Sequence, residues 1–155
     1  MSSPNRRIGS GRDRRRVPRG GRRDGDRPGR HPTVLVADSY AAVRQPCARY
    51  FEQYSFRVQE AADGDQAVAL ITSALPHVIV ADASLPMMPA ARLAQWLSQN
   101  WRTRHIPLIV MTEGGAADPA LANAVMLAKP FKLPAMLEKV RKVLRVRLDD
   151  SGSAN

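Results

Sequence analysis

Four short apolar runs, each ending on a side chain that carries chemistry, constrain this chain more than any other feature of it. The run at 33–37 ends at Asp38, that at 77–81 at Asp82, that at 106–111 at Thr112, and that at 125–128 at Lys129. They are too short for buried helices and continuous rather than alternating in apolar character. They therefore read as strands covered on both faces. A fifth strand is expected at 56–60.

Between these runs the periodicity is helical. Val43, Cys47, Tyr50, Phe51 and Tyr54 fall on one helical face. Pro46 interrupts that helix, removing a donor and crowding the preceding turn, so it should be kinked or begin late. Ala62-Asp63-Gly64 reads as a turn into a helix carrying Ala67, Val68, Leu70, Ile71 and Leu75. Pro89 is placed to open a third helix that buries Leu93, Trp96 and Leu97. After Gly114-Gly115, Asp118 and Pro119 supply a cap and first turn for a short helix through Asn123. Leu133, Leu137, Val140, Val143, Leu144 and Leu148 mark a last amphipathic helix, whose opposite face shows Lys139, Arg141, Lys142 and Arg145.

Five β-α units in succession predict an α/β fold, a doubly wound five-stranded parallel sheet with helices on both faces. Such sheets bind ligands beyond the carboxyl ends of their strands. Asp38, Asp82, Thr112 and Lys129 should therefore meet at one rim. Two carboxylates, a hydroxyl and an ammonium suit phosphoryl transfer: a carboxylate nucleophile, oxygen ligands for a hard divalent cation, and donors for the phosphoryl oxygens. No paired general base accompanies the nucleophile, so a self-contained hydrolase is not expected.

The domain is expected at 33–148, between a disordered Arg/Gly-rich tail at 1–32 and a polar tail at 149–155. Residues 1–31 hold 11 Arg and 3 Asp, which is +8 of the formal +10. They contain almost no bulky aliphatic residue to offset the entropy of ordering. Residues 6–30 could act as a polyanion-binding arm through counterion release, or be an unselective solvated tail or a misassigned start. Aromatic interleaving for single strands is absent from this tail. Cys47 is the only cysteine, so no internal disulfide can form. It reads as a small core residue and Trp96 as part of a packed face. His31, His77 and His105 have no second metal ligand at useful spacing. No apolar run reaches spanning length, and nothing hydrophobic follows Arg6-Arg7. A cytoplasmic setting, with no membrane role, is the expectation.

The segments Val34-Leu-Val-Ala-Asp38, Ala62-Asp-Gly64, Val78-Ile-Val-Ala-Asp82 with Leu85-Pro86, Val110-Met-Thr112 and Lys129-Pro130-Phe131 resemble, in order, the signature of response-regulator receiver domains in two-component signalling. The resemblance covers essentially the whole folded region and implies flavodoxin-like topology. It implies Asp82 as phosphoacceptor, Asp38 as the first of an acidic pair, Thr112 as the switch hydroxyl, Lys129 as the phosphoryl-contacting lysine, and a cis Lys129-Pro130 bond. It also implies Mg2+ held by Asp38, Asp82 and the backbone carbonyl of Ser84, with a histidine kinase or phosphotransfer protein as donor.

Departures from the pattern are concentrated in the switch. Ser39 stands where a second metal-binding carboxylate is usual, which should weaken the metal. Pro89-Ala90 replaces Asp-Gly and leaves the third helix without its ordinary cap. Glu113 replaces a small residue and could repel a phosphodonor. Met126 takes the place of the switch aromatic, and the stretch from Thr112 to Lys129 is shortened. The leading expectation is a stand-alone receiver signalling by protein contact, with no output domain after Leu148. The alternatives are a degenerate, phosphorylation-independent interaction module and a nucleic-acid-associated adaptor acting through the arginine arm.

Overall fold

The computed structural model describes residues 31–115 and 118–153, with side chains described as far as Arg145. The expected Arg-rich tail lies, apart from His31 and Pro32, outside the described residues. Strands β1 (Thr33–Ala37), β2 (Arg57–Ala61), β3 (Val78–Asp82), β4 (Leu108–Thr112) and β5 (Val125–Ala128) alternate with helices α1 (Ala41–Gln53), α2 (Gly64–Ser73), α3 (Ala90–Ser98) and α4 (Leu133–Ser153). A single 3-10 turn, Pro119–Leu121, lies between β4 and β5. The sheet is parallel throughout, in the order β2-β1-β3-β4-β5.

Strand alternation builds two cores. Leu35, Ala37, Ile79 and Ala81 face α2 and α3, packing with Ala67, Ile71, Leu93 and Leu97. Val34, Val36, Val78 and Val80 face α1 and α4, packing with Cys47, Phe51, Met136, Leu137 and Val140. This explains the continuous apolar strands: each side chain, whichever way it points, meets a helix.

Several boundaries differ from the expected ones. β2, β3 and β4 each begin and end one or two residues later than the apolar runs suggested, so Asp82 and Thr112 lie inside their strands. Pairing decides this, because Asp82 lies in register with Met111 and Thr112 with Ala128. α1 begins at Ala41, ahead of Pro46, rather than late. Pro46 lies on the exposed side of α1, where water can satisfy the carbonyl that loses its partner. α4 continues to Ser153, past the expected start of a polar tail at Asp149, since nothing before Gly152 breaks a helix once it is nucleated.

α2 starts with a local device that ties it to the site. Asp63 accepts from the Gln66 amide, and Gln66 Oε1 accepts from the Ala62 amide, both at 2.8 Å. This reciprocal arrangement satisfies two otherwise orphaned donors, as in a capping box. The Gly64 amide then donates to the Pro86 carbonyl in the loop after β3, at 2.8 Å. A Cβ on Gly64 would run into the backbone and Cβ of Met88 in that loop. Gly64→Ala is therefore expected to cost about 1–3 kcal/mol through overpacking. A urea-unfolding midpoint equal to wild type would show that the loop gives way freely.

Candidate functional site

Alternation turns Asp38 and Asp82 toward the α1/α4 side, in phase with Val36 and Val80, and Lys129 arrives on the same side in phase with Leu127. The lysine Nζ donates to Asp82 Oδ1 at 2.9 Å and to Asp38 Oδ2 at 3.2 Å. One ammonium thus bridges two carboxylates from different strands. Asp38 is fully buried, and its other oxygen accepts from the Tyr40 amide at 2.8 Å. Arg44 fixes the same loop from α1, donating to the Asp38 carbonyl at 2.8 Å and pairing with Glu60 at 3.0 Å. That role for Arg44 was not foreseen, although its position one turn into α1 points it back toward the end of β1.

Thr112 reaches the same end of the sheet but not the same cluster. It follows Met111, the register partner of Asp82, so alternation sets it with Val110 instead. Its hydroxyl accepts from the Gly114 amide at 3.1 Å and donates to the Gly114 carbonyl at 3.3 Å. Ser84 and Ser39 are exposed, as is Glu113. Met126 is 43 % exposed on β5. The Lys129-Pro130 bond is cis, and Pro89 gives α3 no side-chain cap.

A hollow of about 610 Å³ opens beside Lys129. Its walls are Val43, Pro46 and Cys47 of α1, Pro130 and Phe131 after β5, and Glu113 with Lys129. The rim thus pairs a charged centre with an apolar seat. Met87, in the loop after β3, has a φ of 72° and a side chain 68 % exposed. The left-handed region is uncommon for a bulky residue, so the loop that follows Asp82 stores some backbone strain at Met87.

Burial works against the charge on Lys129, but hydrogen bonds to Asp82 and Asp38 and the field of both carboxylates outweigh it and hold this lysine above its usual range. Burial, aided by Asp38 and opposed by Lys129, pushes the Cys47 thiol up to about 11. Both effects act at alkaline pH and in the same direction. The lysine's contribution is complete below the unfolded pKa and is lost as pH rises through the raised folded value. The thiol stays neutral in the folded state while the unfolded chain gains from ionising it, so stability falls from about 9 towards 11. The melting temperature should hold steady from pH 7 to about 8.5 and then fall, with Cys47→Ala flattening part of the fall. A flat alkaline profile in the wild type would contradict this account.

A hard divalent cation takes oxygen ligands, and the donor set here fits one, with a carboxylate fewer than an acidic pair would give. Asp38 and Asp82 converge, and the loop bearing Ser84 follows Asp82 directly. Among the described residues no group of three or more acidic, histidine or cysteine side chains is assembled. Among them, too, no helix is long and apolar enough to cross a membrane.

Residues 34–141 match the response regulator receiver domain family. The chain belongs to that family: it contains the receiver domain of a two-component response regulator. Among similar proteins, the DNA-binding dual master transcriptional regulator RpaA of Synechocystis is 29 % identical over 119 residues, covering 74 % of this chain and 49 % of RpaA. The phosphate regulon transcriptional regulatory protein PhoB of Pseudomonas aeruginosa is 29 % identical over 118 residues, covering 73 % of this chain and 52 % of PhoB. The chain therefore spans about half the length of these curated relatives. The fold is also that of the chemotaxis response regulator CheY4 of Vibrio cholerae, with a TM-score of 0.68 and 23 % identity over 73 % of this chain and 98 % of that one. The receiver domain of the sensor histidine kinase PA1611 from Pseudomonas aeruginosa, whose structure holds a magnesium ion in its active-site cleft, superposes with a TM-score of 0.66 at 20 % identity, over 74 % and 98 % of the two chains.

Proposed function

We propose that this chain is a phosphoacceptor in two-component signalling, with Asp82 as the nucleophile, acting through contacts with other proteins. The observation that carries the reading is the Lys129 ammonium bridging Asp82 and Asp38. A carboxylate oxygen of Asp82 attacks phosphorus, a P–O bond forms, and the P–N bond to a donor imidazole breaks. The imidazole departs with its electron pair and takes a proton from solvent. Lys129, already charged and at the rim, follows the negative charge from the carboxylate onto the phosphoryl oxygens. The Thr112 hydroxyl can exchange Gly114 for a phosphoryl oxygen. Magnesium, held by Asp38, Asp82 and the Ser84 carbonyl, would supply further charge neutralisation at the transferring group.

The hollow lined by Val43, Pro46, Pro130 and Phe131 supports docking of a histidine-kinase or phosphotransfer helix, because it offers apolar area beside Lys129, the residue that bonds to the nucleophile. Acetyl phosphate or beryllofluoride with magnesium, followed by amide NMR, tests the reading. Shifts should spread from Asp82 to Thr112 and Lys129 and vanish in Asp82→Asn.

A second reading, a receiver that works as a binding module without phosphorylation, is favoured by the exposed Ser39 hydroxyl at the second acidic position and by exposed Met126 on β5. A spectrum that ignores both phosphoryl analogues would select it.

A further inference from the structure

The face formed by α1 and α4 carries a feature that phosphoryl transfer does not use. Tyr50 lies in the last turn of α1 and Tyr54 caps that helix, while Arg141 and Arg145 lie one turn apart on α4, so each pair falls on one side of its helix. The two pairs line one hollow of about 410 Å³, with Leu137 among its walls and Glu138 as its single acidic residue. The tyrosine rings are 5.0 Å apart and tilted by 50°. The Arg141 guanidinium sits 5.2 Å from the centre of the Tyr54 ring. Stacked in this way, it keeps its N–H edge available to an oxyanion. Arg141, Lys142 and Arg145 are all exposed, and no ion pair joins Arg141 or Arg145 to an acid among the described residues.

We infer that this hollow binds a segment of single-stranded nucleic acid. Its chemistry matches such a strand on two counts. Flat aromatic and guanidinium surfaces take up unstacked bases irrespective of sequence, while a row of cations one helical turn apart takes up the backbone phosphates. A duplex offers only the second kind of contact. The basic face of α4 thus has a partner of complementary charge, and Tyr54, 42 % exposed at the end of α1, acquires a role that core packing does not give it, while Tyr50 packs partly against the core beside it. This inference stands independently of phosphorylation at Asp82.

The test is fluorescence anisotropy of a labelled oligo(dT) of about twelve nucleotides against the full-length protein, between about 50 and 200 mM salt. Tyr54→Leu should weaken binding about fivefold or more and leave the slope of log affinity against log salt unchanged. Arg145→Gln, a change at an exposed position, should lower that slope by about one. Thermal melts confirm that each variant is folded. Wild-type affinity in both folded variants would overturn the inference, since any binding would then come from elsewhere in the chain. An equal effect of Tyr54→Leu on the matching duplex would overturn it too, because stacking would not be involved.

Discussion

Lys129→Met should lower the stability of the domain by on the order of 3 kcal/mol at neutral pH, measured as a shift in the urea-unfolding midpoint. Methionine keeps the stem's bulk but removes the one cation that both carboxylates share. Asp38 is fully buried and Asp82 nearly so, and each would face the other across a gap previously filled by positive charge. Removing one member of a buried pair exposes the desolvation cost of the charge left behind, which is the large term here. Adding Asp82→Asn to the same chain should recover part of the loss, since it withdraws one of the two repelling charges. Millimolar magnesium should recover part of it by another route. An unchanged midpoint in Lys129→Met would mean that the ammonium does not couple the two acids, and the account of the site would fail with it.

Ser39→Asp should raise magnesium affinity by on the order of 10–100-fold, read by calorimetric titration. The physical reason is ligand charge: the rim offers two carboxylates and a lysine, and Ser39 is exposed at its edge, where a third carboxylate adds directly to the attraction for a divalent ion. Without metal the same change adds like charge beside Asp38, so the variant should melt below wild type in chelator and above it in saturating magnesium. Identical affinities for the two proteins would show that position 39 does not reach the cation. Together the two substitutions separate the roles of the site's charges. On this reading Lys129 should hold the carboxylates together in the absence of an ion, and position 39 should set how strongly an ion competes for them.

How much of this could be read from residue order is uneven, for physical reasons. The strands were legible because burial on both faces demands unbroken apolar runs, and β1 and β5 coincide with theirs. The ends of β2, β3 and β4 were displaced because pairing partners, not local composition, determine where a strand stops. Met136, fully buried on α4, escaped a pattern built on leucine and valine spacing. The Asp63–Gln66 cap was written in the sequence as an acid followed three residues later by glutamine, a signal that could have been used.

The sequence by itself determined the alternation of strand and helix, and which chemical groups would stand at the strand ends. It did so because periodicity and chain order are local properties. Only the tertiary structure decided which of those groups meet. Alternation and register bring Asp38, Asp82 and Lys129 into one hydrogen-bonded cluster, while Thr112, one residue past the register partner of Asp82, is held by Gly114 instead. It likewise decided that two tyrosines and two arginines some ninety residues apart line one hollow. Distances between segments remote in the chain follow from packing, and no local pattern encodes them.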